Sequence, residues 1–194
     1  MIKRSSARDR ILETASQLFQ ERGYSEVGIN EIIDKADTAK ATFYQHFPSK
    51  ESLCTEWLKA VHERSERVRQ EILDSDLAPA EKIDRYFVGL GQFLEENDFR
   101  GCPYTNTGAV IDEECACIRE KIESHKLAIR AFFHKLTAEL CPTGRRAKAL
   151  GDTLFLLFSG ATVEGQNLRS LWPVEAARAA AGELCARESD PTAS

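Results

Sequence analysis

Two short apolar patterns, separated by three residues, constrain the fold of this chain more than any other feature of its sequence. The first lies within residues 29–36, where isoleucine and alanine recur at the spacing of one helix face. The second places Phe43 and Phe47 four residues apart, and Pro48 cannot continue a helix beyond them. The patterns therefore predict two helices of one or two turns each.

The connection between these two helices consists of Asp37, Thr38 and Ala39, which is the length that a helix-turn-helix uses. Asp37 suits the turn because aspartate tolerates the left-handed backbone conformation better than most residues. The Thr38 hydroxyl is expected to cap the second helix by accepting a backbone N–H bond, since Ala39 has no side-chain acceptor.

The outer face of the second helix carries groups that suit a nucleic acid, provided that the two phenylalanines point inward. Lys40 offers positive charge to a phosphate, and Thr42 offers a hydroxyl and a methyl group to a base edge. Tyr44 and His46 can donate hydrogen bonds to phosphate oxygens. Lys50 lies in the first turn of the next helix, beside free N–H groups that also attract phosphate. These five residues are the predicted DNA-binding residues.

The helix before this pair is predicted to begin after Ser6 and to end at Gly23. Asp9 follows Ser6 by three residues in an imperfect capping box. Apolar residues between positions 11 and 19 recur at helical spacing, and Gly23 supplies a left-handed stop. Three helices around one core would make a small head, and a long helix capped by Ser49 would lead from it into the rest of the chain.

The run from Thr42 to Leu53, TFYQHFPSKESL, resembles the signature of the tetracycline-repressor (TetR) family. In that family a recognition helix ends in Tyr-x-x-Phe, and a Ser-Lys-Glu-x-Leu step opens the next helix. The run FQERGY at residues 19–24 is similar to the exit of the family's first helix. The resemblance is detailed in the N-terminal part of the chain and extends over the remainder in length and helical layout.

Periodicity and resemblance together predict an all-α fold of about nine helices. Residues 1–48 are expected to form a three-helix DNA-binding head with a helix-turn-helix. Residues 49–188 are expected to form a larger helical bundle for ligand binding and dimerisation, and residues 189–194 a flexible tail. The resemblance implies that such a protein represses transcription.

Two positions depart from the family pattern. Many relatives carry a threonine ahead of the second helix as a phosphate contact, where this chain has Val27 and Gly28. The usual capping serine of the recognition helix is Ala39 here. Each departure removes one hydrogen-bonding group, so neither contact is expected in this protein.

Charge is distributed unevenly along the chain, whose net charge is −5. The first ten residues carry Lys3, Arg4, Arg8 and Arg10 against Asp9 alone. The first fifty residues hold eight basic and seven acidic groups, a net +1, which leaves −6 for the remainder. A basic arm before an acidic body fits a molecule that meets DNA at one end only. Without the helix-turn-helix, a solvated disordered tail would be an equal interpretation of the arm.

Length and cysteine usage narrow the class of protein further. At 194 residues the chain can bury a full core without metals or disulfides. No apolar run is long enough to span a bilayer, and no signal-peptide core opens the chain, so a cytoplasmic protein without membrane contact is expected. The six cysteines form no Cys-x-x-Cys pair and no zinc spacing with histidine, which predicts free thiols, no metal site and no cofactor.

The sequence after the head predicts mainly longer helices. The apolar stripe of the helix that follows the head includes Val68, and Pro79 fits the first position of the next helix. The polar run at residues 101–108 predicts a short helix or a loop. A long helix is predicted to start at Asp112 and to end at Pro142.

Polar groups that fall among aromatic side chains mark candidate contacts to a small-molecule effector. For each such residue alone, packing in the core is the alternative interpretation. The candidates are Tyr86, Phe87, Phe93, Cys102, Tyr104, Asn106, His125, Phe133 and Phe158.

The last two helices are apolar over wide arcs, which predicts an interface between two copies of the chain. The resemblance implies the same, because TetR relatives dimerise through the equivalent pair as a four-helix bundle. The candidate interface residues are Leu154, Phe155, Leu157, Phe158, Ala161, Val174, Ala177, Ala181 and Leu184.

These observations predict a DNA-binding transcriptional regulator, most simply a repressor that binds an inverted-repeat operator as a homodimer and is released by a small-molecule effector. The expected partners are double-stranded operator DNA, the effector and a second copy. An enzyme is the rival from another class, but the sequence contains no nucleophile–base pairing, metal spacing or phosphate loop. A helical dimeric adaptor that no longer binds DNA is the other rival.

Cys102 carries an alternative mode of regulation. Gly101 and Cys102, with Cys115 further on, are similar to a branch of TetR repressors that sense oxidants or electrophiles through a thiol. Pro103 at the first position of a helix would put Cys102 at the helix N-terminus, where the pKa of a thiol is lowered. A packing thiol without reactivity is the competing interpretation.

Overall fold

The computed structural model describes residues 5–112, 115–141 and 143–189, and all regular structure in these ranges is α-helical. The prediction of an all-α fold with about nine helices is confirmed for the described residues. The helices are α1 (Ala7–Arg22), α2 (Ile29–Lys35), α3 (Lys40–His46), α4 (Lys50–Leu73), α5 (Pro79–Glu96), α6 (Pro103–Gly108), α7 (Ala116–Leu140), α8 (Gly144–Leu168) and α9 (Trp172–Ser189).

Some sequence predictions fall outside the described residues. They concern Lys3 and Arg4 of the basic arm, Pro142 as the end of a helix, and residues 190–194 of the predicted tail. Ser189, the first residue of that tail, is the last residue of α9.

The chain divides into two compact units. The first comprises Met1–Arg64 and Pro103–Ser124, and the second comprises Ser65–Cys102 and His125–Ser194. The predicted head of residues 1–48 lies within the first unit. Helices α4 and α7 each contribute residues to both units.

Local sequence signals set both ends of α1 as predicted. The Ser6 hydroxyl accepts a hydrogen bond of 3.1 Å from the backbone N–H of Asp9 and donates one of 2.7 Å to the Asp9 carboxylate. This satisfies a backbone donor at the start of the helix. At the other end Gly23 has φ +87° and donates its N–H to the Phe19 carbonyl. Glycine adopts this conformation without a steric penalty.

The turn between α2 and α3 is a Schellman motif with aspartate in the position that glycine usually occupies. Asp37 has φ +47°, as its predicted role in the turn requires. Its N–H bonds to the Asp34 carbonyl at 3.3 Å, and the Thr38 N–H bonds to the Ile33 carbonyl at 3.2 Å. The prediction that Thr38 caps α3 is wrong, because Thr38 completes this motif and the N-cap of α3 is Ala39, without a side-chain bond.

This uncapped start of α3 yields a stability prediction. Ala39→Ser is expected to raise the free energy of unfolding by about 1 kcal/mol, because a serine hydroxyl at the N-cap accepts an otherwise unsatisfied N–H. Ala39 is exposed, and its φ of −82° and ψ of 147° already suit a capping residue. Urea unfolding measures the effect. Ala41→Ser, inside α3, is the control, and an equal gain in both variants would show that capping is not the cause.

The core of the first unit forms where the apolar faces of its short helices meet. Ile11 from α1, Ile32 from α2, Phe43 from α3 and Leu53 from α4 are all fully buried. Phe47, which directly follows α3, is 1% exposed. Both helices of the helix-turn-helix are therefore anchored by the residues whose spacing predicted them.

Helix α4 starts as predicted but differs from the prediction near its end. Ser49 and Ser52 exchange hydrogen bonds, with Ser52 N–H donating to Ser49 Oγ at 3.1 Å and Ser49 N–H donating to Ser52 Oγ at 3.2 Å. Val68, predicted to be buried, is exposed, and the next residue, Arg69, is only 2% exposed. Arginine can occupy this inner position because its methylene stem packs against apolar surface.

The polar run that the sequence marked, residues 101–108, contains α6, and α7 begins after it. The run forms the short helix α6, which begins at Pro103. Helix α7 begins at Ala116, and the prediction of a start at Asp112 is wrong. Cys115 immediately precedes α7, and its carbonyl accepts the N–H groups of Ile118 and Arg119.

The second unit has its core between α5, α8, α9 and the C-terminal part of α7. An ion pair ties α7 to α8, since the Asp152 carboxylate accepts bonds of 2.6 and 3.0 Å from Arg130 and lies 2.7 Å from His134 Nε2. The Arg130 bonds, followed by that of His134, lower the pKa of Asp152 to about 2. Among the described residues, no helix combines the length and apolar character needed to cross a bilayer.

Candidate nucleic-acid interface

Helix α3 separates a buried aromatic face from an exposed polar one. Phe43 and Phe47 are 0% and 1% exposed and lie with their ring centroids 6.2 Å apart. Lys40, Tyr44 and His46 are exposed on the other side, and Tyr44 retains 42% of its surface accessible. The structure therefore places these predicted DNA-binding residues on the solvent side of one seven-residue helix.

The position of Tyr44 is restrained even though its side chain is exposed. Its ring packs edge-on against the buried Phe43, with the centroids 5.3 Å apart and an interplanar angle of 81°. Edge-to-face contacts of this kind are favourable for aromatic pairs. The contact with Phe43 therefore restrains the Tyr44 ring and leaves its phenolic oxygen at the surface. Thr42, on the same helix, is half-buried.

Lys50 differs from the predicted DNA-binding residues of α3 in that its charged group lies against an aromatic ring. Its ammonium group lies 4.4 Å from the centroid of the Tyr24 ring. Partial burial lowers the pKa of Lys50, and the charge of the neighbouring Glu51 carboxylate opposes that shift. The Tyr24 hydroxyl donates to Glu51 at 3.4 Å, and burial raises the pKa of Tyr24. Sequence reasoning noted Tyr24 only as part of the FQERGY run and missed this contact.

The predicted effector residues fall into both compact units. Tyr104 and Asn106 belong to the first unit, where Tyr104 is buried and its hydroxyl donates to the Leu58 carbonyl. The other seven candidates belong to the second unit. Among these, His125 is buried and Cys102 is partly exposed, directly before Pro103 at the start of α6. Sensing through the Cys102 thiol stays a prediction.

Tyr86 and three phenylalanines of the second unit form one aromatic cluster. The Tyr86 ring stacks on Phe158 with a centroid distance of 4.5 Å and also contacts Phe132 at 4.7 Å and Phe133 at 5.7 Å. Burial raises the pKa of Tyr86, and the charge and hydrogen bond of Arg69 oppose that shift. Phe87 is fully buried beside this cluster, and Phe93 is partly buried on the same helix.

Arg69 is a charged group of the second unit that sequence reasoning missed. Its guanidinium donates to Ser65 at 2.7 Å and to the Glu66 carboxylate at 2.5 Å, although Glu66 is itself more than half exposed. The sequence indicates the burial of Arg69 only weakly, because arginine side chains are mostly exposed in folded proteins.

Most of the predicted interface residues lie inside the chain's own core. Five of them are buried: Leu154, Ala161, Val174, Ala177 and Ala181. The other four are partly buried and pack against the core: Phe155, Leu157, Phe158 and Leu184. The large apolar side chains that are exposed on α8 and α9 are Leu156 at 67%, Leu168 at 52% and Trp172 at 57%. Neither Leu156 nor Trp172 is among the interface residues predicted from the sequence.

Leu156 on α8 and Trp172 on α9 both line an open groove between these helices. Four of its ten lining residues are glycine or alanine, and small residues let a facing helix approach closely. The lining residues are Thr153, Leu156, Leu157, Gly160, Ala161, Glu164, Trp172, Pro173, Ala176 and Ala177. The groove therefore joins exposed apolar side chains from both helices into one surface.

Comparison with known proteins assigns the chain to a family. The family model of bacterial regulatory proteins, tetR family, matches residues 11–56, which include α2 and α3. The HTH-type transcriptional regulator LmrA of Bacillus subtilis (strain 168) is 34% identical over 149 residues, which cover 74% of this chain and 78% of LmrA. The HTH-type transcriptional repressor NemR of Escherichia coli (strain K12) is 25% identical over 183 residues, covering 89% of this chain and 90% of NemR.

A solved structure shows that the likeness extends over the whole fold. The crystal structure of SCO4454, a TetR-family transcriptional regulator from Streptomyces coelicolor, matches with a TM-score of 0.87 over 95% of this chain and 96% of that chain, at 22% identity. The exposed polar face of α3, the match of the family model across the helix-turn-helix and the extended identity with LmrA agree with one another. The chain therefore belongs to the tetR family of bacterial regulatory proteins and is a DNA-binding transcriptional regulator.

Proposed function

We propose that this protein is a repressor that binds an inverted-repeat operator as a homodimer and leaves it when a small-molecule effector binds. The observation that carries the proposal is the division of α3 into a buried face, Phe43 and Phe47, and an exposed face with Lys40, Tyr44 and His46. A helix with this division can enter a major groove while its other side stays packed on the head.

Each exposed group has a proposed role at the DNA. Lys40, His46 and Lys50 contact phosphates, since each carries or can carry positive charge. Tyr44 donates its hydroxyl to a phosphate oxygen, and Thr42 contacts a base edge through its methyl and hydroxyl groups. Residues 1–48 are thus the DNA-binding domain and residues 49–188 the ligand-binding and dimerisation domain.

Dimerisation supplies the affinity that one head lacks. Two recognition helices related by two-fold symmetry would meet successive major grooves about 34 to 36 Å apart, which makes the operator an inverted repeat. Linking two heads also makes the second binding event intramolecular. The groove between α8 and α9, which Leu156 and Trp172 line, is the proposed contact between copies.

Release by an effector follows from differential binding to two states of the protein. The aromatic cluster around Tyr86, together with the other predicted effector residues of the second unit, supplies the proposed contacts. An effector that favours the conformation with lower DNA affinity weakens the complex by its coupling energy, typically about 1 to 3 kcal/mol. NemR, a relative over most of this chain, is itself named a repressor, which supports repression here.

The salt dependence of DNA binding tests the proposal. Fluorescence anisotropy with DNA from upstream of the protein's own coding sequence should give a linear fall of log affinity with log salt. Lys40→Ala is expected to weaken binding to all sequences and to reduce that slope by about 0.9, the contribution of one phosphate. The reason is that one fewer counterion is released when the protein binds.

Lys148→Ala is the matched control, because Lys148 is an exposed lysine on α8 in the second unit. It should change neither affinity nor slope. Equal slopes for the Lys40 variant and the unmodified protein would exclude the proposed docking of α3. Absence of binding to any upstream fragment at low salt would favour the adaptor without DNA binding.

A further inference from the structure

Two arginines of α1 have partners within the first unit that their sequence position did not suggest. Arg8 and Arg10 count among the basic residues of the N-terminal arm, whose charge the sequence assigned to DNA. In the structure both guanidinium groups are bound to other parts of the same unit. Their contacts lie close to the two ends of α3.

Arg10 binds three backbone carbonyls at once. Its Nε donates to the Ala36 carbonyl at 3.2 Å, and its Nη2 donates to the Asp37 carbonyl at 3.1 Å. Its Nη1 donates to the Ser5 carbonyl at 3.1 Å. The planar guanidinium presents its donors in a fixed geometry, so these three bonds fix the relative positions of the two segments that it contacts.

The carbonyls of Ala36 and Asp37 belong to the turn that leads into α3. Carbonyls at the end of a helix lack partners within the helix. The Schellman bonds of this turn satisfy the carbonyls of Ile33 and Asp34 but not these two. Arg10 provides the donors for both, which links α1 to the residue whose left-handed conformation directs the chain towards Lys40.

Arg8 acts at the opposite end of α3. Its Nη2 lies 2.6 Å from the Glu56 carboxylate on α4, and both side chains are partly exposed. The central carbon of its guanidinium lies 5.4 Å from the centroid of the Phe47 ring, within the range of a cation–π contact. Phe47 is the C-cap residue of α3. Arg8 therefore links α1 to α4 across the end of the recognition helix.

We propose that Arg8 and Arg10 are positioning residues that set the orientation of α3, and that neither is a phosphate contact. The proposal rests on the proposed function, in which α3 reads the DNA. A helix of seven residues has few contacts of its own, so its angle depends on how its two ends are held. Arg10 holds the turn before it, and Arg8 holds the residue after it.

The proposal separates charge from geometry at Arg10. Arg10→Lys keeps the positive charge but cannot bind three carbonyls in the fixed arrangement of a guanidinium. Arg10→Met keeps much of the length and removes the charge. A phosphate contact would tolerate lysine and respond to methionine, whereas a positioning residue would respond to both.

Operator affinity measured as a function of salt distinguishes the two roles. Both Arg10 variants are expected to bind operator about tenfold or more weakly. Their preference for operator over other DNA should fall as well, because a misplaced α3 no longer contacts the correct bases. The salt slope should equal that of the unmodified protein, and nonspecific binding should change little. Unmodified affinity for Arg10→Lys, or a slope reduced by about 0.9 for Arg10→Met, would overturn the proposal.

A double-mutant cycle tests Arg8 independently and decides the matter if the Arg10 variants fail to fold, as judged by circular dichroism. Arg8→Met and Glu56→Gln should each weaken operator binding, and the double variant should be no weaker than the worse single variant, because both remove the same link. Additive losses would mean that Arg8 does not act through Glu56. Lys40→Ala measured in parallel tests the docking of α3 itself, so failure of the proposed function is recognised separately.

Discussion

Leu156→Asp is expected to convert the protein from a dimer to a monomer and to weaken operator binding by about a hundredfold or more. Leu156 is 67% exposed, so the substitution places a charge on the surface without disturbing the core of the chain. In a dimer that uses the groove between α8 and α9, the same carboxylate would be buried twice without a partner, which is strongly unfavourable. Two linked heads exceed the affinity of one by about a hundredfold to ten-thousandfold, and a monomer forfeits that gain.

Sedimentation equilibrium and operator titration measure the two effects on the same samples. Leu127→Asp is the matched control, because Leu127 is a leucine of α7 with 51% exposure that does not line the groove. It should leave both the mass in solution and the affinity unchanged. A Leu156→Asp protein that remains dimeric would place the interface elsewhere and would remove the groove from the proposed function.

The helix-turn-helix could be predicted from the sequence because its signals are local. Proline after α3, glycine after α1 and serine before each of α1 and α4 act on the backbone within a few residues, so they specify where helices begin and end. The paired phenylalanines likewise identify the buried face of α3 without knowledge of the rest of the chain. The prediction for Thr38 places the N-cap of α3 one residue too early, although the helix-turn-helix itself is correctly predicted.

The inner faces of the long helices were harder to predict, since they depend on which neighbours cover them. The apolar arc of α8 is wide, and spacing alone does not show that α5 and α9 cover the side with Leu154 and leave Leu156 exposed. Val68 and Arg69 show the same difficulty in α4. Hydrophobicity favours valine inside, whereas the structure buries the arginine beside hydroxyl and carboxylate partners that were not evident from its own position.

The roles of charged residues in the candidate site also depend on tertiary contacts. Arg10 and Lys40 are both basic residues of the N-terminal part of the chain, and from the sequence the charge of each is assigned to DNA. Only the structure shows that carbonyls separated from Arg10 by more than twenty residues lie within reach of its guanidinium, while Lys40 is exposed. Local sequence patterns therefore predict where the candidate interface lies, whereas tertiary contacts distinguish the groups that face solvent from the groups that hold the helix.

Gly151→Ala is expected to lower the free energy of unfolding by about 1 to 3 kcal/mol, the usual range for overpacking a core. Gly151 is a buried residue of α8, where a methyl group would lie 2.4 Å from His134 Cδ2 and 3.2 Å from the His134 Cα. It would also lie 3.0 Å from the Thr137 hydroxyl, which donates to the Ala147 carbonyl at 2.8 Å. A rotamer change cannot relieve the contact with a backbone atom, so α7 and α8 must separate.

Separation of these helices would also strain the ion pair that neighbours Gly151. The Asp152 carboxylate contacts Arg130 at 2.6 Å and His134 at 2.7 Å across the same pair of helices, next to the close approach at Gly151. Thermal and urea unfolding measure the loss of stability.

Gly89→Ala in α5 is the matched control, because no heavy atom lies within 4 Å of its added carbon. Alanine there should stabilise the helix by about 1 kcal/mol. Changes of opposite sign in the free energy of unfolding of the two variants would show that the contact between helices, and not helix propensity, requires glycine at position 151. An equal increase in both variants would contradict the close approach of α7 and α8.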